Sequence, residues 1–490
     1  MKAIRAQSIA WHPWHPWYQC HPRPALVVAA ALIGYLAAAP QAQNGGAGTE
    51  HWVGTWATAV VARPQGPRAG PPGFGPPPGF GPAPQAPAGS AQPSQAQTGP
   101  VPVPAASGQP AQPAQGGGRG PGGPGGGRGF GPPLNINNQT LRQVVRTSIG
   151  GDRVRVVFSN AFGTAPLPVG AAHIALREKN AAVAPKSDRA LTFGGSASTT
   201  IPAGAVMVSD PVSLTVPAFA DLAIDLYLPI DTAASISPVT THAGALQTNY
   251  VSPTGDHAGA ADMPVTTTTQ SWFFLARVEV AAAEQVGALV AFGDSITDGT
   301  RSTPDMNSRW PDHLARRLAA QNIKMGVLNQ GIAGNRVLAD GAGVSALARF
   351  DRDVLVQTGA THAIVLESIN DIGLARNNPM PTADELIAAH RQLVERAHAR
   401  GLRILGATLT PFEGAAYWTA EGEAKRQAIN RWIRTSKVYD GVVDFDAVVR
   451  DPGAPTKLLP QYNPGDNLHM NDAGYQAMAN VIDLRLLKGN

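Results

Sequence analysis

Residues 287–299 read GALVAFGDSITDG, and this segment gives the clearest indication of the fold class. Its first half is a continuous apolar run, which is typical of a strand buried on both faces of a sheet. The run ends in a Gly-Asp-Ser turn at 293–295, where the glycine lets the backbone turn tightly. A serine at a strand end can expose its hydroxyl above the sheet. The stretch therefore predicts a buried strand that leads directly into Ser295.

Four more apolar runs follow, and amphipathic stretches separate them. The runs are KMGVLNQG at 324–331, THAIVLES at 361–368, RILGATLTP at 403–411 and GVVDFD at 441–446. The predicted helices cover 310–320, 346–356, 383–400, 422–435 and 472–487. Five buried strands alternating with five helices indicate a parallel sheet covered on both faces. We therefore predict an α/β domain over 286–490, with its functional groups at the carboxyl ends of the strands.

The strongest partner for Ser295 is the motif Asp-Asn-Leu-His at 466–469, just ahead of the last predicted helix. A hydroxyl is a poor nucleophile at neutral pH unless a base takes its proton, and the base needs an acceptor on its other nitrogen. The spacing lets the Asp466 carboxylate reach the His469 imidazole from the same loop. We therefore predict that Ser295, His469 and Asp466 act together. The alternative is that Asp466 only shapes the loop and that His469 is incidental.

Two further strand ends supply hydrogen-bond donors. An acyl transfer develops negative charge on the carbonyl oxygen, and donors aimed at this oxygen lower the barrier. The candidates are the backbone N–H groups of Ser295 and of Gly334 in NQGIAGN, and the side-chain amide of Asn370 in ESIND. Asp294 and Asp371 are candidate supporting residues. Taken singly, Gly334 is also compatible with a turn glycine, and Asn370 and Asp371 with helix caps.

Together the blocks GDSITDG, NQGIAGN, ESIND and DNLH resemble the four blocks of the SGNH hydrolase superfamily, the GDSL-type esterases and lipases. The resemblance covers roughly residues 286–490. It implies a flavodoxin-like, parallel five-stranded domain and a carboxylic ester hydrolase that needs neither cofactor nor metal. By position, the site residues it implies are the nucleophile Ser295, the base His469 with its orienting carboxylate Asp466, and the oxyanion donors Gly334 and Asn370.

The third block departs from the family pattern. This block usually reads Gly-x-Asn-Asp, whereas Ser368 stands at the glycine position here. If glycine is favoured there for close approach of the backbone, a serine side chain narrows the pocket or shifts Asn370. We expect the donor to be kept and the range of substrates to be affected.

The residues before the α/β domain have a different pattern of apolar and polar residues. From 141 to 280 the sequence alternates apolar and polar residues between turn signals, as in DRVRVVFSN at 152–160, and helical periodicity is scarce. This pattern predicts an all-β sandwich of the jelly-roll type over 50–280. The region also resembles, more loosely, the N-terminal domain of an exported bacterial subgroup of the same superfamily.

A segment rich in proline and glycine at 64–133 interrupts the predicted β domain. It contains stretches such as GPPGFGPPPGFGPAP and has few large apolar side chains, so it cannot offset the entropy of ordering. We predict a disordered insertion, because the residues on both sides of it read as strands. The alternative is a linker between a short N-terminal arm and the remainder of the chain.

The N-terminus has the three-part pattern of a secretory signal at 1–42. Basic residues precede an apolar run at 25–39, and small residues follow it. We predict cleavage and a secreted or periplasmic protein without a stable membrane span, since about fifteen apolar residues are few for a bilayer. The alternative is an uncleaved anchor. Cleavage removes three positive charges and the only cysteine, Cys20, so the formal net charge falls from +4 to about +1.

Several conspicuous residues receive ordinary interpretations. No basic cluster interleaved with aromatic residues supports nucleic-acid binding. The histidines 173, 242 and 257 lack metal-ligand spacing and are interpreted as ordinary surface or core residues. The charge run Arg349, Asp351, Arg352 and Asp353 is interpreted as a solvated helix face.

These observations predict an exported serine esterase that acts on short acyl or acetyl esters, including esters of carbohydrates. A lipase or phospholipase is the alternative among enzymes. A glycan-binding protein whose hydrolase domain has lost turnover is the alternative among binding proteins. The sequence does not specify the oligomeric state.

Overall fold

A computed structural model describes residues 50–65, 134–374 and 380–488. All of these residues belong to one compact unit, Glu50–Asn490. The predicted signal at 1–42 and nearly all of the insertion at 64–133 lie outside the described residues, so both stay predictions.

The described residues between 50 and 282, namely 50–65 and 134–282, are mostly strands, in agreement with the alternating sequence pattern. The strands β1 to β17 are His51–Ala57, Val61–Arg63, Asn137–Arg146, Gly151–Ser159, Leu167–Val169, Ala171–Lys179, Ala182–Val183, Arg189–Ala190, Thr199–Ile201, Val206–Val208, Val212–Val216, Asp221–Asp231, Val239–Ala243, Asn249–Thr254, Thr267–Thr269, Ser271–Phe273 and Leu275–Ala282. A single turn of helix, α1, covers Thr232–Ser235.

Two larger antiparallel sheets organise this region. One has the order β1-β17-β4-β10 and the other the order β15-β14-β3-β12-β6-β7. Alternate residues of both sheets, such as Val156 and Phe158 on β4 and Leu226 and Leu228 on β12, belong to one buried apolar cluster. Residues before the proline- and glycine-rich segment take part, because β1 pairs with β17 and β2 pairs with β13.

The C-terminal region contains the predicted five-stranded parallel sheet. Its strands are β18 Gly287–Gly293, β19 Met325–Gly331, β20 Ala360–Leu366, β21 Arg403–Ala407 and β22 Gly441–Val443. Every neighbouring pair is parallel, and the order β19-β18-β20-β21-β22 is that of flavodoxin-like sheets. The chain crosses from one side of β18 to the other, so the carboxyl end of β18 lies at the topological switch point, where such sheets place their ligands.

Helices and short elements connect these strands. The helices are α2 Ser295–Asp298, α3 Trp310–Ala320, α4 Ala346–Phe350, α5 Ile369–Gly373, α6 Ala383–His398, α7 Ala420–Thr435, α8 Phe445–Val449 and α9 Asp472–Val481. The remaining elements are a π-helix at Asp351–Leu355, 3₁₀ turns at Pro460–Tyr462 and Leu484–Leu487, and the hairpin β23 Arg450–Asp451 with β24 Ala454–Leu458. None of the helices in the described part of the chain is long and apolar enough to cross a membrane.

Two predicted helices differ from the structure. The helix predicted over 346–356 is α-helical only to Phe350 and continues as the π-helix. The helix predicted over 472–487 ends at Val481, where Ile482 turns to an extended conformation before the last 3₁₀ turn. In both cases the apolar spacing continues while the backbone hydrogen-bond pattern changes, and periodicity alone does not distinguish these conformations.

The packing of strand β18 explains why its sequence is apolar throughout. Val290 and Phe292 belong to a cluster on one face, with residues of α6 and α7. Leu289 and Ala291 belong to a cluster on the other face, with residues of α3 and α9. Because neighbouring residues of a strand point to opposite faces, a strand covered on both sides needs apolar residues at every position.

The β region contacts the parallel sheet through β1. Val53 and Ala57 of β1 belong to the same apolar cluster as Phe292 of the central strand. The Gly54 N–H donates to the Thr358 carbonyl at 2.9 Å, and the Val327 N–H of β19 donates to the Ser148 hydroxyl at 2.9 Å. The strand-rich region is therefore packed directly against the α/β region.

Candidate active site

Ser295 lies at the carboxyl end of β18, as the sequence predicts. A side chain at Gly293 would place its Cβ atom 2.2 Å from Thr297 Oγ1 and 2.5 Å from the Leu366 carbonyl, so the turn needs glycine there. The Asp294 carboxylate accepts the Ile296 N–H at 2.9 Å and caps α2. Ser295 is thus the first residue of a short helix that begins directly at the strand end.

The residues Ser295, His469 and Asp466 form one hydrogen-bonded chain. Ser295 Oγ lies 2.8 Å from His469 Nε2, and His469 Nδ1 lies 3.0 Å from Asp466 Oδ2. Because Nδ1 faces a carboxylate, it carries the ring proton, and Nε2 is left to accept the proton of the serine hydroxyl. This arrangement can transfer a proton from the hydroxyl to the imidazole.

Asp466 is held in its ionised form. Burial alone would raise its pKa, but the side-chain bond and charge of His469, the His469 N–H at 3.0 Å and the Arg301 guanidinium together lower this pKa well below its ordinary value. The Arg301 Nε donates to Asp466 Oδ2 at 2.8 Å. A carboxylate that stays charged keeps the imidazole in one tautomer and one orientation. Arg301 is a contact that no sequence pattern indicated.

Gly334 and Asn370 lie at the neighbouring strand ends. Gly334 follows β19, and Asn370 follows β20, and both strands pair with β18. Gly334 has a φ of +82°, a conformation that favours glycine. Asn370 Nδ2 donates to the Asn335 carbonyl at 3.0 Å, which leaves its second N–H for another acceptor. Tyr417 Oη lies 3.4 Å from Asn370 Oδ1 and is oriented to donate to it.

Asp371 fastens the loop that carries Gly334. Its carboxylate accepts the N–H groups of Val337 at 2.7 Å and of Leu338 at 3.0 Å. Burial raises the pKa of Asp371, although these two backbone donors act in the opposite direction. Burial also raises the pKa of Asp294, to about 7. These contacts tie the Asp371 carboxylate to the loop after Gly334, and its role in the site stays a prediction.

Ser368 adopts a backbone conformation that favours glycine. Its φ is +101°, which is costly for a residue with a Cβ atom. The side chain is fully buried, and its hydroxyl lies 2.9 Å from Nε2 of His390 on α6. This contact ties the serine hydroxyl to α6, and the effect of Ser368 on Asn370 and on the range of substrates stays a prediction.

The interpretation of the charge run at 349–353 as a solvated helix face is wrong for two of its residues. The Arg349 side chain is 0% exposed and that of Asp353 is 4% exposed, whereas Asp351 and Arg352 are open to solvent. Arg349 donates to the Gly293 and Gln330 carbonyls at 2.8 Å each. It also donates to Asn335 Oδ1 at 2.8 Å and lies 3.2 Å from Glu367. The α-to-π transition at Asp351 accompanies this burial.

His242 connects the β region to the helix that begins at Ser295. Its Nε2 lies 3.0 Å from Asp298 Oδ1, and its Nδ1 lies 2.7 Å from the Ala59 carbonyl. Each ring nitrogen thus lies within hydrogen-bond distance of an oxygen atom. The interpretation of His242 as an ordinary core histidine holds for its burial, but the ring also fixes the position of α2.

A cavity of about 40 Å³ lies on the side of α2 that faces the β region. Its walls include Trp56, Trp272, Arg309 and Asp298, but not Ser295 or His469. A space of this size holds a few water molecules. The proposed chemistry lies at the strand ends rather than in this cavity.

Comparison with known proteins identifies the C-terminal region. Residues 291–477 match the GDSL-like Lipase/Acylhydrolase family. A search of curated proteins returned no match. Solved structures that resemble the chain include a GDSL-like lipase from Bacteroides thetaiotaomicron (20% identity, 42% of this chain and 88% of that chain, TM-score 0.31). Others are an acetylxylan esterase from Geobacillus stearothermophilus (22%, 42% and 97%, TM-score 0.32) and a carbohydrate acetylesterase family member from Sinorhizobium meliloti (16%, 41% and 99%, TM-score 0.34). Residues 291–477 are thus a GDSL-like lipase/acylhydrolase domain of the SGNH superfamily.

Proposed function

We propose that the chain is a serine esterase in which Ser295 is the nucleophile, His469 the base and Asp466 the carboxylate that orients it. The observation that carries the proposal is the hydrogen-bonded chain of 2.8 Å from Ser295 Oγ to His469 and 3.0 Å from His469 to Asp466. The match of residues 291–477 to an acylhydrolase family supports the same class of reaction.

The first half of the proposed reaction forms an acyl-enzyme. Ser295 Oγ attacks the carbonyl carbon of the ester while His469 Nε2 takes the hydroxyl proton, and the carbonyl oxygen becomes negatively charged. The bond from this carbon to the alcohol oxygen then breaks, and Nε2 returns the proton to the departing alcohol. Asp466 remains ionised and stabilises the charged imidazole between these two transfers.

The second half releases the acid. Water loses a proton to His469 Nε2 as its oxygen attacks the acyl carbon, and the same proton returns to Ser295 Oγ when the acid leaves. We assign the backbone N–H groups of Ser295 and Gly334 and the second N–H of Asn370 as donors to the charged carbonyl oxygen in both halves. The bond from Asn370 to the Asn335 carbonyl supports this assignment, because it orients the amide beside the Gly334 loop.

We further propose that the esterase is exported and acts on short acyl or acetyl esters, with carbohydrate esters as one class. The signal-like N-terminus supports export. The strand-rich region is proposed to be a sandwich of its two antiparallel sheets, which would suit a carbohydrate ligand. The single apolar cluster shared by both sheets supports this arrangement.

Hydrolysis of p-nitrophenyl acetate by the purified mature protein tests the proposed function. Ser295→Ala should lower kcat at least about 10⁴-fold while changing the free energy of unfolding by less than about 1 kcal/mol. Ser302→Ala, which also removes the hydroxyl of a buried serine, is the matched control and should keep kcat within about twofold. Equal rates for Ser295→Ala and the unmodified protein would reject the assignment.

Profiles of acyl length then separate the alternatives. An esterase of the proposed kind should be fastest with acetyl to butyryl esters and should release acetate from acetyl xylan. Rates that rise with chain length and increase on micelles would indicate a lipase or phospholipase. Binding of a polysaccharide without hydrolysis of any ester would indicate a glycan-binding protein.

A further inference from the structure

Arg301 contacts the carboxylate that orients the proposed base. Its Nε lies 2.8 Å from Asp466 Oδ2, the same oxygen that accepts from His469 Nδ1. Asp466 Oδ1 accepts the N–H groups of Leu468 and His469 at 3.2 and 3.0 Å. Two backbone donors thus hold one oxygen of the carboxylate. The guanidinium brings a positive charge to the other oxygen, the one that faces the imidazole.

The loop that carries Arg301 is fixed by bonds on either side of this residue. Tyr475 Oη donates to the Thr300 carbonyl at 2.7 Å, and the Thr303 N–H donates to Asp472 Oδ1 at 2.8 Å. Both partners lie on α9, the helix that follows His469. The Arg301 side chain, which is 36% exposed, is therefore not needed to hold the loop.

Arg301 itself has a φ of +76°, which is unfavourable for a residue with a side chain. Strained residues of this kind persist where the surrounding structure determines them, and they cluster at functional sites. The strained backbone at Arg301 and its contact with Asp466 occur together. The loop adopts an unfavourable conformation that lets the guanidinium reach Asp466.

We propose that Arg301 is a positioning residue that acts through Asp466 to widen the acidic range in which His469 serves as the base. The proposal rests on the proposed esterase function of the same site. A positive charge beside Asp466 weakens the stabilisation that this carboxylate gives to the charged imidazole.

Other charged and titratable groups surround the pair and are unchanged by a substitution of Arg301. Asp294 lies at the strand end beneath Ser295, and Asp472 lies on α9. Tyr417 and Tyr475 have pKa values raised well above the ordinary value, because they are buried and lie near Asp466 and Asp294. Both tyrosines are therefore neutral over the acidic and neutral range.

The test is the pH dependence of kcat/KM for p-nitrophenyl acetate. Because Arg301 and His469 contact the same carboxylate oxygen near the surface, Arg301→Gln should move the acidic limb of the profile upward by about half to one pH unit. On that limb kcat/KM should fall about three- to tenfold. Arg301→Lys should keep the acidic limb close to that of the unmodified protein, and Arg485→Gln, which breaks the exposed ion pair with Asp483, should leave the profile unchanged.

Salt supplies a second measurement on the unmodified protein. Because Arg301 is partly exposed, 1 M NaCl should move the acidic limb of the unmodified protein toward that of Arg301→Gln, and should move the variant less. Coincident acidic limbs for the two proteins would overturn the proposal. A uniform loss of kcat/KM at all pH values, which Arg301→Lys does not restore, would also overturn it and would show a purely structural role.

The rate at which a fluorophosphonate labels Ser295 gives the same pH profile without substrate turnover. If the unmodified protein is labelled but hydrolyses no ester, the proposed function fails while the Arg301 proposal is still tested by the labelling profiles. If labelling occurs with equal acidic limbs in both proteins, the Arg301 proposal fails while the nucleophile assignment stands.

Discussion

Replacing Arg349 by methionine tests the stability of the strand ends that carry the site. The change keeps most of the aliphatic stem and removes a guanidinium that is completely buried. This group donates to the Gly293 carbonyl at the end of β18, to the Gln330 carbonyl at the end of β19 and to Asn335 in the Gly334 loop. It also pairs with Glu367 after β20. One side chain thus joins three neighbouring strand ends.

The expected cost follows from these partners. Each buried acceptor left without a donor costs about 1–3 kcal/mol, but the costs are not additive. Glu367 has a pKa raised well above the ordinary value, mainly by burial, so it can take up a proton when the guanidinium is absent and thereby limit the loss. Loss of one partner from a buried ion pair typically costs about 3–5 kcal/mol, and we expect a value in this range.

Thermal unfolding followed by circular dichroism measures the effect. For a folded unit of this size, a loss of about 3–5 kcal/mol should lower Tm by about 3–6 °C. Arg352→Met is the matched control, because Arg352 pairs with Asp353 but is 33% exposed. This change should lower the free energy of unfolding by less than about 1 kcal/mol. If both variants melt at the same temperature, the interpretation of Arg349 as a structural link between strand ends is wrong.

Further expectations concern residues beside the site. Ser368→Gly removes the strain of the positive φ whereas Ser368→Ala does not, so the glycine variant should be the more stable of the two by about 1 kcal/mol in urea unfolding. The reverse order of stability would contradict the strain argument. Burial lowers the pKa of His390 to about 4, so the unfolded chain binds a proton below about pH 6.5 that the folded chain does not. The free energy of unfolding should therefore fall by roughly 3 kcal/mol from pH 6.5 to 4, and His390→Gln should flatten this slope in pH-dependent melting. His242→Ala should reduce kcat without abolishing it, because Asp298 loses the ring that fixes α2, and an unchanged kcat would count against that link. Deletion of residues 66–133 should leave p-nitrophenyl acetate turnover unchanged, because no proposed catalytic group lies there; a large loss would count against the disorder prediction.

The parallel sheet could be predicted because each of its strands has a simple physical signature. The run from Gly287 to Gly293 is buried on both faces, so every position is apolar, and this composition is visible in the sequence. The contact between Ser295 and His469 could be predicted as well, because parallel strands bring their carboxyl ends to one edge of a sheet.

The buried ion network and the Arg301 contact could not be predicted in this way. The run Arg349 to Asp353 has the alternating charges of a solvated helix, and nothing in its composition shows that the strand-end carbonyls would solvate the guanidinium in place of water. Arg301 and Asp466 are separated by 165 positions, and their contact depends on a positive φ that is disfavoured for arginine. Both features follow from tertiary geometry rather than from local preference.

The packing of β1 against β19 has a consequence for any attempt to trim this protein to its hydrolase portion. Strand β19 is the outermost of the parallel sheet, and the Ser148 hydroxyl satisfies its Val327 amide. The approach is so close that a methyl group at Gly326 would come 2.1 Å from the Gly54 carbonyl. A fragment that starts at Val286 would leave this strand uncovered. Its free backbone amides could then form hydrogen bonds with strands of other molecules. Such a fragment should aggregate, whereas one that starts at Glu50 should stay dispersed.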